Sequence, residues 1–280
     1  MDWKNLRVIR RNKRVMILNK IEDRLESLKG NIGIDYIDLT TGMGCFAGNC
    51  DLFPSSGIAK LMVLIEVFNQ LESGKLNQED KYILKKADSE YYKGLQIEEP
   101  TYGVLSFLHE GLELNVRDLY NLMITISDNV AFNILLKMVQ KDNINQTLRK
   151  NGFNDTVINR AFFDWDKINA GIDNYHSVKE VADMFRKLYL GQLISNKASG
   201  QMLELLKRHQ RTNIIPYYFS EKLSIAHQTG FDENLIHDMG IVLSERPFVL
   251  CMSASNVDTR KAESVMRDVA LICFNHSKSL

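Results

Sequence analysis

The sequence predicts an α/β fold of the α+β type. One antiparallel sheet is built from both chain ends and flanked by terminal helices, with an all-helical domain inserted between them. Three observations predict this. Apolar residues alternate with period two only near the ends, at about 32–47 and 222–254. From about 57 to 212 the patterning is almost wholly helical. A lone N-terminal hairpin is marginal in water, so its strands need the C-terminal ones as neighbours. The expected organisation is therefore 1–50 plus 215–280 as the sheet domain and 51–214 as the helical insert, with a ligand cleft at their seam.

Each element has its own signal. Residues 15–29 place Ile17, Ile21, Leu25 and Leu28 at helical spacing and stop at Gly30. Residues 32–39 and 45–48 flank the turn-like Thr40-Thr-Gly-Met-Gly and read as a hairpin. From Ile58 to Phe68 nearly every residue is apolar, which marks a helix buried on all sides. Asn115 with Asp118 three residues on opens a helix striped by Leu119, Leu122, Met123 and Ile126. Another stripe, Val130, Ile134, Leu135 and Met138, follows Ser127-Asp-Asn. Ser177 and Glu180 have capping-box spacing. Strand patterns return at 222–227, 236–243 and 248–254, and Asp258 opens a last helix with Val265, Val269 and Ile272 on one face.

Lysine plus arginine equals aspartate plus glutamate at 35 each, so the formal charge is zero. That balance argues against a generic nucleic-acid or membrane-surface binder. No apolar run approaches the length of a membrane span. The basic N-terminus leads into no signal-peptide core, so the chain as written reads as cytoplasmic; a missing leader would make it extracellular. Cys45, Cys50, Cys251 and Cys273 show no metal spacing and read as reduced, packed thiols, with a Cys45–Cys50 bond as the rival. His109, His176, His209, His237 and His276 form no paired ligand pattern. No cofactor and no metal are expected, and the chain is expected to be a monomer.

Three segments carry chemistry. Lys60 falls in the first turn of the all-apolar helix, where a buried ammonium is costly unless paired or neutralised. Ser127-Asp128-Asn129 sits at a helix junction, where Ser127 or Asp128 alone reads as an N-cap. His227-Gln228-Thr229-Gly230 ends a strand, with His227 on the opposite face from Gln228. The spacings are 67 residues from Lys60 to Ser127 and 101 from Ser127 to Gln228. In this order the segments resemble the S-x-x-K, S-D-N and K-T-G signature of class A β-lactamases and penicillin-binding proteins. The resemblance spans roughly residues 15–275 and implies a β-lactamase-like fold. It also implies acyl transfer on β-lactam or peptidoglycan-like ligands.

Two departures shape that reading. The position three residues before Lys60, where the family carries its nucleophilic serine, is Gly57, which has no side chain to acylate. Ser56 lies at i−4 from Lys60, where an N-cap role is expected and a replacement nucleophile is the alternative. Gln228 stands where the family has lysine, which keeps a donor but removes a charge. By the same resemblance, a loop glutamate four residues before an asparagine would activate the deacylating water. Counting back from Asn169 gives Trp165, with Asp164 and Asp166 as weak substitutes. The resemblance thus implies Lys60, Ser127 and Asn129 beside the nucleophile position Gly57, with Gln228, Thr229 and Gly230 binding ligand. Three functions fit: a disabled ligand-binding member, an active hydrolase using Ser56, or an active enzyme whose nucleophile was replaced by engineering.

Overall fold

The computed structural model describes residues 3–90, 103–219 and 223–279. Lys222, with which one expected strand begins, lies outside them. The chain divides into two compact units: Met1–Phe53 with Ser177–Lys187 and Thr212–Leu280, and Pro54–His176 with Leu188–Arg211. The stretch Ser177–Lys187, expected within the helical insert, groups with the sheet.

The first unit opens with α1 (Trp3–Leu25) and continues through β1 (Asn31–Asp38), β2 (Gly44–Gly48) and the short β3 (Leu52–Pro54) at its boundary. It closes with β7 (Ser224–Asp232), β8 (Leu235–Leu243), β9 (Phe248–Ser255) and α10 (Thr259–Lys278). The order β2-β1-β9-β8-β7 is antiparallel throughout and joins the two chain ends through the β1–β9 pair. Ile17, Ile21 and Leu25 of α1 and Val265, Val269 and Cys273 of α10 share one core with Ile34, Tyr36, Leu250 and Met252 of the sheet. Burying such side chains stabilises by about 1.5–3 kcal/mol each. The first helix begins twelve residues before the expected start at Val15. Its added arginines and lysines are good helix formers that leave no apolar stripe to read. All four cysteines are free, and burial pushes the Cys45 thiol up to about 12.

The second unit is built around α2 (Ala59–Glu72), whose Leu61, Met62, Val63, Leu64, Ile65 and Val67 are all fully buried. The chain then runs through β4 (Lys81–Ile83), α3 (Lys86–Glu90), β5 (Glu113–Asn115), α4 (Val116–Thr125), α5 (Asn129–Val139) and α6 (Lys141–Lys150). Next come α7 (Trp165–Asn169), β6 (Tyr175–Ser177), α8 (Val178–Tyr189) and α9 (Asn196–Leu206), with β6 and α8 crossing the unit boundary. Helices α4, α5, α6 and α9 pack around α2. Besides its helices the unit carries a ribbon of β4 paired with β5. The Asn115–Asp118 capping box forms, with Asp118 N–H donating to Asn115 Oδ1 at 2.8 Å and Asn115 N–H to Asp118 Oδ2 at 3.0 Å. Among the described residues, no helix is long and apolar enough to cross a membrane.

Candidate active site

The chain enters α2 through a 3₁₀ turn, Ser56–Ile58. Ser56 has φ of 41°, a left-handed conformation that L-residues adopt only under strain. It does not occupy a cap position, as the sequence suggested: Ser55 precedes the turn and Ile58 precedes α2. Gly57 is buried inside the turn. Its lack of a side chain leaves no hydroxyl one turn before Lys60.

Lys60 is 1 % exposed. Its Nζ donates to Asn129 Oδ1 at 2.8 Å and lies 4.5 Å from the centre of the Phe162 ring and 5.8 Å from that of Phe132. Burial pushes this amine down to about 7; Asp128 opposes the fall and Arg211 adds to it. Near neutral pH the group therefore divides between amine and ammonium, and it can take or return a proton.

Asn129 is set in place by the turn before it. Ser127 has φ of 61°, which ends α4 and redirects the chain into α5. Asp128 caps α5, with Oδ1 accepting Ala131 N–H at 2.9 Å. Its Oδ2 accepts Val104 N–H at 2.6 Å and Leu105 N–H at 2.9 Å. A Cβ on Gly103, which has φ of +106°, would lie 2.2 Å from Asp128 Oδ2, so only glycine fits there. Asp128 is thus a positioning residue, and Asn129, one step into the helix, meets Lys60.

The loop over Lys60 was not legible from the sequence. Arg160 pairs with Asp173 at 2.8 Å, and Asn174 Oδ1 accepts Asn159 N–H at 2.7 Å and Arg160 N–H at 2.9 Å. Between these ties Asn133 of α5 grips Phe162 twice. Its Nδ2 donates to Phe162 O at 3.0 Å, and its Oδ1 accepts Phe162 N–H at 2.9 Å. The Phe162 ring stacks on Phe132 at 4.1 Å and faces the lysine. Counting back from Asn169 had indicated Trp165, which is instead 41 % exposed in the first turn of α7. Asp164 accepts Lys167 N–H at 3.3 Å and pairs with Lys167 Nζ at 3.4 Å, while Asp166 is exposed. The Phe162 ring is the loop group seen beside the amine; Asp164 is engaged by Lys167 and Asp166 faces solvent.

Gln228, Thr229 and Gly230 lie on β7 of the sheet unit, all buried. Gln228 Nε2 donates to Thr229 O at 3.3 Å, and among the described residues Gln228 Oε1 is buried without a partner. His227 points to the other face, where Nδ1 meets Asp238 Oδ1 at 2.8 Å. The histidine sharing Gln228's face is His237, directly across from Gly230 on β8.

Comparison with known proteins agrees with this architecture. The chain is 22 % identical over 277 residues to the β-lactamase VEB-1 of Pseudomonas aeruginosa, covering 92 % of this chain and 89 % of the relative. A β-lactamase structure from Sphaerobacter thermophilus superposes with a TM-score of 0.82 at 22 % identity, over 100 % of this chain and 99 % of that one. A leucine-to-glutamate variant of PBP-A, solved as an acyl-enzyme complex with penicillin G, superposes with a TM-score of 0.80 at 22 % identity, over 96 % and 97 % of the two chains. The model of the β-lactamase enzyme family matches residues 17–277, and the chain belongs to that family.

Proposed function

We propose that this chain is a catalytically disabled member of the β-lactamase family that binds a β-lactam or peptidoglycan-like ligand reversibly, as a monomer. The observation carrying this reading is Gly57, buried three residues before Lys60 with no side-chain oxygen to form an acyl-enzyme. In this reading Lys60, Ser127 and Asn129 are the retained polar groups of the former catalytic set, and Gln228, Thr229 and Gly230 contact the ligand. Removing one member of a set that acts as a unit abolishes most of its contribution, which leaves hydrolysis near background.

Calorimetric titration with an intact penicillin tests this, with the ligand recovered and analysed afterwards. The expected result is weak saturable binding with the penicillin recovered unopened. Gln228→Lys should tighten binding roughly tenfold, or ~1.4 kcal/mol, by restoring a charge-assisted contact. Recovery of opened penicillin at a rate above the buffer control would overturn the proposal and favour Ser56 as the nucleophile. Equal affinities of the two forms would remove Gln228 from the ligand's contacts.

A further inference from the structure

Behind the Phe162 loop the helical unit holds a cavity of about 420 Å³, which the family reading does not use. That volume falls within the range of small-molecule sites. Its wall carries four cations, Lys137, Lys141, Arg160 and Lys167, against two carboxylates, Asp88 and Asp164. Both carboxylates are already engaged. Asp88 accepts the Tyr82 hydroxyl at 2.8 Å and Lys85 N–H at 2.8 Å, and Asp164 is held by Lys167. Among the described residues, no carboxylate lies within 4 Å of the amine of Lys137 or Lys141. Arg160 spends its terminal nitrogens on Asp173 and Ala161 O, while its Nε is buried with no hydrogen-bond partner among the described residues. Lys137 and Lys141, both exposed, are therefore the cations on this wall with no carboxylate beside them, open to an anion from solvent. Ile134 and Ala161 add an apolar floor.

We infer that this cavity is a binding site for a small organic or inorganic dianion, and that its occupancy is transmitted to Lys60 through Asn133. The second half follows from connectivity. Asn133 lines the cavity, and its amide also holds both backbone groups of Phe162, whose ring faces Lys60 Nζ. A ligand that shifts the Asn133 amide must shift Phe162 with it.

Malonate and inorganic phosphate at about pH 8 are the probes, since both are then mainly dianions and they separate carboxylate from phosphate recognition. Calorimetric titration supplies the affinity and the stoichiometry. The expected result is 1:1 saturable binding of at least one probe. A Lys137→Gln, Lys141→Gln double variant should weaken it tenfold or more, and a Lys75→Gln, Lys150→Gln control should leave it unchanged. All four lysines are exposed, so the fold is not at stake. No saturable binding of either probe, or equal weakening in the control, would overturn the site. The Phe162 amide resonance should shift in parallel with occupancy; binding without that shift would overturn the link to Lys60.

Discussion

Helix α2 buries two charged side chains six residues apart, and they are treated in opposite ways. Glu66, 2 % exposed, sits among neutral donors: Gln70 Nε2 at 2.7 Å, Asn69 Nδ2 at 3.0 Å and Thr147 Oγ1 at 2.5 Å. Those contacts tie α2 to α6 and give the carboxylate the hydrogen bonds it loses from water. Among the described residues Lys60 has one hydrogen bond, to Asn129, and two aromatic rings where other acceptors would have served an ammonium. Glu66 is held as a structural joint. Lys60 is held at a cost in stability, because burial penalises its ammonium and few acceptors offset it. The difference lies in the neighbours, since helix, burial and formal charge magnitude are shared.

Breaking the two sites should therefore move stability in opposite directions. Glu66→Ala removes the acceptor shared by Gln70, Asn69 and Thr147 and should destabilise the fold by about 1.5–3 kcal/mol in urea unfolding at pH 7. Lys60→Met removes a poorly solvated amine and should stabilise it by about 1–3 kcal/mol under the same conditions. The sign follows from linkage. The folded-state value of Lys60, about 7, lies below the ordinary 10.5, so the unfolded chain binds more protons between those limits. Stability from this group should rise with pH from about 7 toward 10.5, and the methionine variant should lose that rise.

A half-buried carboxylate sharpens the contrast from within the sheet. Asp35 on β1 is raised to about 7 by burial and by the nearby Asp51 carboxylate, with Lys179 pulling the other way. Here the folded state binds more protons than the unfolded chain between about 4 and 7, so stability from this group should fall as pH rises through that window. Asp35→Asn should flatten the fall and stabilise the protein at pH 8 by about 1–2 kcal/mol, as thermal unfolding across pH would show. The smallest expected effect is local. Phe162→Glu would set a carboxylate facing Lys60 and return the amine toward the ordinary lysine range, readable by NMR titration of the lysine side chain.

What the sequence made legible followed from periodicity and from short-range chemistry. The joining of both chain ends in one sheet could be read because a hairpin cannot stand alone. Lys60 stood out because its helix is apolar on every side, and Asp128 because a capping residue is recognised by its neighbours. Phe162 escaped because its place depends on Asn133, 29 residues away, and on a loop whose path no period encodes. Counting from Asn169 assumed a fixed loop length and landed on exposed Trp165. The signal that would have found it was an aromatic pair, Phe162-Phe163, two residues after Arg160 in a stretch rich in polar residues. Ser56 looked like a cap by composition, yet the tight entry to α2 forces it into a left-handed turn.

The central claim is that a family scaffold has lost its nucleophile and kept the amine that served it. Intact-mass spectrometry after incubation with a reactive β-lactam tests this on the native chain and on Gly57→Ser. The native mass should stay unchanged, while Gly57→Ser should gain one β-lactam mapped to position 57, persisting because Phe162 supplies no carboxylate to the adduct. An adduct on the native chain, at Ser56 or elsewhere, would contradict the account.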